Sequence, residues 1–127
     1  MSNSKKILMV DDESAARGLI KTLAEMNGYV FIEAEDGKKG LERAKKDAPD
    51  IILLDVNMPK MNGFDVLQNL KKDHKTLNIP VIMLTTRDTQ EDMAEGMELY
   101  ADKYIPKPFD SNHLFAEIKK TLETQGR

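Results

Sequence analysis

The chain has 127 residues, a net charge of -3 and no cysteine, and its isoelectric point is near 5.4. This length encloses one hydrophobic core, the acidic balance argues against direct binding of nucleic acid, and the lack of cysteine excludes disulfides and thiolate metal sites. No apolar run approaches the roughly 18 residues of a membrane span, and the polar start at 1–6 is not a signal peptide. We therefore expect one cytoplasmic domain over residues 1–127, with a core of about 5–124 and no membrane association.

Five short apolar runs predict five strands. In chain order they are Lys5–Val10, Tyr29–Ala34, Ile51–Asp55, Pro80–Thr85 and Lys103–Ile105. The third run has four consecutive apolar residues between Pro49 and Pro59, which is typical of a strand buried on both faces of a parallel sheet.

A helical pattern follows each strand, with apolar residues at three- and four-residue spacing. These apolar positions are Ala15, Ala16, Leu19, Ile20, Leu23 and Met26; Leu41 and Ala44; Phe64, Val66, Leu67 and Leu70; Met93, Ala94 and Met97; and Leu114, Phe115, Ile118 and Leu122. Asn27-Gly28 is a stop signal for the first helix, Asp88 with Glu91 forms a capping box for the fourth, and Asp110 is an N-cap for the fifth.

Five β-α units in strict alternation predict an α/β fold, a doubly wound five-stranded parallel sheet with helices on both faces. Of the two common strand orders we expect the flavodoxin-like order 2-1-3-4-5, which places strands 1 and 3 at the switch point. Sheets of this kind bind ligands there, beyond the carboxyl ends of the strands.

Polar side chains follow four of the predicted strands: Asp11 and Asp12, then Asp55, Thr85 and Lys107. Because parallel strands run in one direction, these side chains should converge at one edge of the sheet. Three carboxylates gathered there repel one another, so at least one must bind a proton or a cation. An all-oxygen cluster with room for water suits Mg²⁺, or Mn²⁺, better than a dedicated Ca²⁺ cage.

Asp55 would then lie beside a metal ion, an ammonium group and a hydroxyl. A carboxylate in this setting can attack a phosphoryl group and form an aspartyl phosphate, while the cations neutralise the charge that develops during transfer. Each residue alone has an ordinary explanation as a turn cap, a strand residue or a solvated lysine. Their coincidence at one edge favours the functional interpretation.

Four segments together resemble the receiver domain of two-component response regulators. They are Val10-Asp11-Asp12-Glu13, Leu53–Pro59 with Asn62-Gly63, Leu84-Thr85 and Tyr104–Phe109. The resemblance covers roughly residues 5–124, with the motifs in the same order and at similar spacing.

The resemblance implies a phosphorylation-dependent signalling switch. The phosphoryl donor would be a histidine kinase or a histidine phosphotransfer protein. The output would be a change in the surface made by the fourth helix, fifth strand and fifth helix, read by a downstream protein, an output domain or a second copy in a phosphorylation-dependent dimer. Such a domain is not a conventional enzyme, although it catalyses its own phosphorylation and dephosphorylation.

The resemblance also implies a metal-binding role for the acidic residues. Asp55 would be the phospho-acceptor, and Asp12 with Asp55 would bind Mg²⁺. Asp11 would act largely through an ordered water, and the backbone carbonyl of Asn57 would complete the protein ligands.

The remaining roles concern the phosphoryl group and the switch. By resemblance, Lys107 would contact the phosphoryl group and Thr85 would hydrogen-bond it. Tyr104 would be the aromatic residue whose ring turns inward when Thr85 moves. The peptide bond between Lys107 and Pro108 is expected to be cis.

Two positions depart from the family's pattern. Thr86 stands where most members have a small residue, often Ala or Gly, and would narrow access to the acyl phosphate. Tyr100 stands where the family usually has Gly, which leaves the end of the fourth helix undefined.

Two other functions use related chemistry or a related fold. A haloacid-dehalogenase-like, Mg²⁺-dependent phosphatase also uses an aspartyl nucleophile but needs a second Asp two residues later, where this chain has Asn57. A flavodoxin-like electron carrier shares the fold but needs a hydroxyl- and amide-rich loop after strand 1, where this chain has Asp11-Asp12-Glu13. Both are weaker alternatives.

Overall fold

The computed structural model describes residues 4–85 and 101–125. The strands are β1 Lys6–Val10, β2 Val30–Ala34, β3 Ile51–Asp55, β4 Val81–Thr85 and β5 Lys103–Pro106. The helices of the described ranges are α1 Ser14–Met26, α2 Gly37–Asp47, α3 Gly63–Lys72 and the C-terminal helix Ser111–Gln125. The fourth predicted helix, with Asp88, Glu91, Met93, Ala94 and Met97, and the two departures at Thr86 and Tyr100 lie outside the described residues.

The five strands form one parallel sheet in the order β2-β1-β3-β4-β5, which confirms the predicted fold class and strand order. The central pair is β1 and β3, where Val10 lies opposite Leu54. Asp11 and Asp55 are the next residues along these two strands. The topology therefore brings the two acidic residues together at the carboxyl edge of the sheet.

The core lies on both faces of the sheet, because successive residues of a strand point to opposite sides. Leu54 packs in one buried cluster with residues of α2 and α3. Leu53 packs in the other with residues of α1 and the C-terminal helix. Strands β3 and β4 are buried along their whole length, as expected for the centre of a parallel sheet. Within the described ranges, no helix has the length and apolar character that crossing a membrane requires.

The first predicted helix is confirmed as α1, but its apolar residues are only partly buried. Ile20 and Ala24 are buried against the sheet, whereas Leu19 is 57% exposed, Met26 is 76% exposed and Ala15 is also exposed. The apolar residues of α1 cover more of its circumference than the sheet can contact. The spacing of apolar residues alone does not show which of them contact the sheet and which lie on the adjacent, exposed surface of the helix.

Helix ends follow the predicted polar signals. The carboxylate of Asp110 accepts a hydrogen bond from the backbone N–H of Asn112 at 2.9 Å, which confirms the predicted cap of the C-terminal helix. At the end of α1, Gly28 has φ +83°, a conformation that favours glycine. The backbone N–H of Tyr29 bonds to the Ala24 carbonyl, so β2 begins at Val30 and not at Tyr29 as predicted.

Candidate functional site

The predicted site residues meet at the carboxyl edge of the sheet. Asp11 follows β1, Asp55 ends β3, Thr85 ends β4 and Lys107 follows β5. Asp11, Asp55 and Thr85 are almost fully buried, and Lys107 has 16% of its side chain exposed. Each side chain is thus held by the end of a strand whose own position is fixed by the core.

The three aspartates form one oxygen cluster. Asp11, Asp12 and Asp55 each offer a carboxylate oxygen, and these oxygens lie within 4.8 Å of one another. Asp12 is exposed while the other two are buried, so the cluster is open to solvent on the Asp12 side. A group of carboxylate oxygens that also admits water fits the coordination preferences of Mg²⁺.

The fourth predicted ligand lies next to this cluster. The backbone N–H of Asn57 donates to Asp55 Oδ1 at 3.3 Å, so the backbone of Asn57 lies beside the carboxylate. The side-chain amide of Asn57 donates to Thr85 Oγ1 at 3.3 Å. Asn57 thereby connects the loop after β3 with the end of β4.

Lys107 contacts both buried carboxylates. Its Nζ atom lies 3.1 Å from Asp11 Oδ2 and 3.5 Å from Asp55 Oδ1. Its backbone N–H donates to the Thr85 carbonyl at 2.6 Å, which ties the loop after β5 to β4. The peptide bond between Lys107 and Pro108 is cis, as predicted.

Burial and, to a smaller extent, the negative charge of Asp11 raise the pKa of Asp55 to about 6, against the opposing effects of Lys107 and the Asn57 N–H. Burial lowers the pKa of Lys107, but the adjacent charges of Asp11 and Asp55 together outweigh it and leave that pKa above its ordinary value. The ammonium therefore stays charged at neutral pH. In the described part of the chain, Lys107 is the cation that contacts both buried acids, and its single charge leaves the binding of a further cation favourable.

The two predicted switch residues lie on neighbouring strands. Thr85 lies opposite Pro106 in the register of β4 and β5, and Met83 lies opposite Tyr104. Residues two apart in a strand share a face, so Thr85 and Tyr104 belong to the same side of the sheet. Tyr104 is half-buried and packs against the core cluster on that side.

Gly63 is part of the site, although the sequence indicated only a turn there. A Cβ atom at this position would lie 2.4 Å from the Asp55 carbonyl oxygen and 2.7 Å from the Val56 Cα. The Gly63 N–H also donates to the Val56 carbonyl at 2.9 Å. Only glycine lets the start of α3 approach the backbone of Asp55 so closely.

Arg17 is a second residue that sequence reasoning missed. Its Nη1 donates to the backbone carbonyl of Asp11 at 2.6 Å, and its Nε donates to Glu33 Oε1 at 2.7 Å. A basic residue one helical turn after the acidic run was the available signal. Its partner Glu33 lies on β2 and is distant in sequence, so the pairing could not be read from spacing.

Comparison with known proteins decides the family. The model of the response regulator receiver domain matches residues 7–119. The chain belongs to this family. Receiver domains are phosphorylation-dependent signalling switches rather than conventional enzymes, and the match gives no support to a phosphatase or a flavodoxin-like carrier.

Curated relatives are longer than this receiver domain. It is 47% identical to the transcriptional regulatory protein CpxR of Escherichia coli (strain K12) over 117 residues, which are 92% of this chain and 49% of CpxR. It is 40% identical to the alkaline phosphatase synthesis transcriptional regulatory protein PhoP of Bacillus subtilis (strain 168) over 119 residues, 94% of this chain and 49% of PhoP. The chain thus spans about half the length of these relatives.

Solved structures include receiver domains with the same fold. A CheY-like receiver domain protein of Methanospirillum hungatei JF-1 matches with a TM-score of 0.91 and 29% identity over 98% of both chains. The chemotaxis protein CheY4 of Vibrio cholerae matches with a TM-score of 0.87 and 32% identity, covering 92% of this chain and 98% of that one. These neighbours agree with the predicted flavodoxin-like fold.

Proposed function

We propose that residues 5–124 form one receiver domain in which Asp55 accepts a phosphoryl group in a Mg²⁺-dependent reaction. The observation that carries this proposal is the position of Asp55 at the end of a central strand. There its carboxylate lies in an oxygen cluster with Asp11 and Asp12 and 3.5 Å from the Lys107 ammonium.

The residues of the site fit a divalent cation. Asp12 and Asp55 would hold Mg²⁺ directly, Asp11 would act through a water, and the Asn57 carbonyl would complete the protein ligands. Mn²⁺ offers similar charge and oxygen preference and should substitute. When bound, the metal supplies positive charge against the phosphoryl oxygens.

The chemical step needs one nucleophile and charge neutralisation. A carboxylate oxygen of Asp55 forms a bond to phosphorus as the bond between phosphorus and the donor's leaving group breaks. Lys107 stabilises the negative charge on the transferred group, and the Thr85 hydroxyl donates a hydrogen bond to it. Water attack on the same phosphorus later returns Asp55 to its carboxylate form and releases phosphate.

The proposed function requires two kinds of partner, a phosphoryl donor and a downstream protein or domain that responds to phosphorylation. We propose a histidine kinase or a histidine phosphotransfer protein as donor. The names of the relatives, which are transcriptional regulators, support control of transcription through a downstream protein or an attached output domain. The net charge of -3 argues against direct contact between nucleic acid and this domain.

Treatment with acetyl phosphate tests this function without any other protein. Intact-mass measurement should show one added phosphoryl group with Mg²⁺ and none with excess EDTA. Hydroxylamine should remove the group, because it cleaves acyl phosphates. After removal of acetyl phosphate the added mass should disappear with time, and EDTA should slow that loss. An unchanged mass in the presence of Mg²⁺ would contradict the proposal.

A further inference from the structure

Asp11 is held at every polar group. Its backbone N–H donates to the Ala34 carbonyl at 3.1 Å. Its Oδ1 accepts from the Glu13 N–H at 2.9 Å, and its Oδ2 lies 3.1 Å from Lys107 Nζ. Its carbonyl, in turn, accepts the hydrogen bond from Arg17. This residue is therefore fixed in the structure by four separate contacts.

The carbonyl contact matters most for Asp12. The carbonyl of Asp11 belongs to the rigid, planar peptide unit that joins Asp11 to Asp12. A donor that fixes the direction of this carbonyl also fixes the backbone from which the Asp12 side chain extends. Asp12 itself is exposed, so the direction of its carboxylate depends on that backbone.

We propose that Arg17 is a positioning residue, which orients the peptide unit between Asp11 and Asp12 so that the Asp12 carboxylate is placed to bind a divalent cation. This inference rests on the proposed Mg²⁺ site. It assigns Arg17 no contact with the phosphoryl group or the metal.

The guanidinium is suited to this task because it donates in two fixed directions. One nitrogen bonds to Asp11 and another to Glu33 on β2, so Glu33 anchors the planar group against the sheet. The Arg17 side chain is only 13% exposed. Lysine has the charge but cannot make both bonds with the same geometry.

An effect of the Arg17 charge and a positioning role of Arg17 predict opposite changes in Mg²⁺ affinity when the residue is replaced. Arg17 is a cation close to the aspartate cluster, and a nearby cation repels a metal ion. If its charge were all that mattered, its removal should strengthen Mg²⁺ binding. If it positions the backbone of Asp12, its removal should weaken Mg²⁺ binding.

The experiment compares Mg²⁺ affinity in Arg17→Met, Arg17→Lys and Glu33→Gln, with Arg43→Met as the matched control. Arg43 pairs with Asp47 within α2 at 3.0 Å, so the control removes the same charge and one ion pair but leaves the bonds of Arg17 to Asp11 and Glu33 in place. Affinity is measured by calorimetric titration with MgCl₂, and the melting temperature is measured in EDTA to separate folding from binding. The rate of phosphorylation by acetyl phosphate is followed over a range of Mg²⁺ concentrations.

We expect Arg17→Met to weaken Mg²⁺ binding about tenfold, as is typical when a residue that orients a metal ligand is lost. Arg17→Lys and Glu33→Gln should lie between wild type and Arg17→Met, and Arg43→Met should match wild type. The Mg²⁺ concentration that gives half the maximal phosphorylation rate should rise in Arg17→Met, while the rate at saturating Mg²⁺ stays close to that of wild type. Should Arg17→Met fail to fold, weaker binding by Arg17→Lys, which keeps the charge, supports the same conclusion.

Equal or tighter Mg²⁺ binding by the folded Arg17 variants would overturn the inference. So would a fall in melting temperature without a change in affinity, because that result assigns Arg17 to folding alone. Wild-type protein that binds Mg²⁺ but is not phosphorylated would overturn the proposed function, and the affinities would still decide the role of Arg17.

Discussion

The ammonium of Lys107 lies closer to Asp11, at 3.1 Å, than to Asp55, at 3.5 Å. Lys107 is therefore shared between two buried carboxylates and lies farther from Asp55, the proposed phospho-acceptor. Asp55 is incompletely compensated, which is consistent with its raised pKa of about 6. A phosphoryl group on Asp55 would add negative charge at this position, so Lys107 would form a stronger ion pair with it than with the Asp55 carboxylate.

The raised pKa of Asp55 predicts a specific pH dependence of stability. Below about pH 4 the carboxyl is protonated in both the folded and unfolded states, so it does not change the free energy of unfolding. As pH rises towards about 6 the unfolded state loses its proton first, so the free energy of unfolding falls, by about 1–3 kcal/mol in all. Asp55→Asn removes this cost and should be more stable than wild type at pH 7 but not at pH 4.

Urea denaturation in EDTA across this pH range measures that difference. Asp65→Asn, at an exposed aspartate of α3, is the control and should follow wild type. A stability difference between Asp55→Asn and wild type that does not change with pH would contradict the prediction.

Asp12→Ala should abolish the stabilisation by Mg²⁺ without harming the metal-free fold. Removing one of three clustered carboxylates relieves repulsion, so the melting temperature in EDTA should equal or exceed that of wild type. Mg²⁺ at ten times its dissociation constant should stabilise wild type by about 1.4 kcal/mol and Asp12→Ala by almost nothing. Glu42→Ala, which removes an exposed acid of α2, should respond to Mg²⁺ as wild type does. A normal Mg²⁺ response in Asp12→Ala would argue against this site.

Gly63→Ala and Gly18→Ala are the same chemical change with opposite expected effects. The added methyl at Gly63 would lie 2.4 Å from the Asp55 carbonyl, whereas at Gly18 in α1 it would meet nothing within 4 Å. We expect Gly63→Ala to lose about 1–3 kcal/mol of stability and to be phosphorylated more slowly, because the backbone of Asp55 must shift. Gly18→Ala should gain about 0.5–1 kcal/mol with unchanged phosphorylation. Thermal denaturation and intact-mass kinetics measure both, and equal behaviour of the two variants would refute the argument.

The sequence predicted the strand order and the position of the acidic cluster because both follow from strong local signals. Apolar runs that alternate with helical patterns require a parallel sheet, and residues such as Asp11 and Asp55 then have to meet at one edge. The prediction was weaker where a contact depends on three-dimensional packing. Leu19 and Met26 are apolar and correctly spaced but lie beside the contact with the sheet. The role of Arg17 depends on Glu33, and the role of Gly63 depends on how closely α3 approaches β3.

Thr85→Ala should leave phosphorylation intact while weakening the conformational response that follows it. Asp55, the proposed acceptor, should still be phosphorylated in this variant. The response at Tyr104 should weaken, because the variant lacks the hydroxyl that we propose to bond to the phosphoryl group. Useful coupling of this kind amounts to about 1–3 kcal/mol, or about 5- to 150-fold in affinity for a partner. NMR spectra with and without beryllofluoride, a phosphoryl mimic, measure the response.

In wild type we expect shifts around Asp55 and throughout residues 88–120, and in Thr85→Ala shifts near Asp55 with a reduced response over 88–120. Thr22→Ala, at an exposed threonine that bonds within α1, is the control and should respond fully. Wild-type shifts confined to the loops around Asp55 would refute this route of output.

The identity of the phospho-acceptor is tested most directly by mass spectrometry of wild type, Asp55→Asn and Asp65→Asn after treatment with acetyl phosphate and Mg²⁺. Wild type and Asp65→Asn should each gain the mass of one phosphoryl group, located by peptide mapping to the segment that contains Asp55. Asp55→Asn should remain at its original mass while still melting cooperatively. A gain of the same mass by Asp55→Asn, at the rate of wild type, would contradict the account.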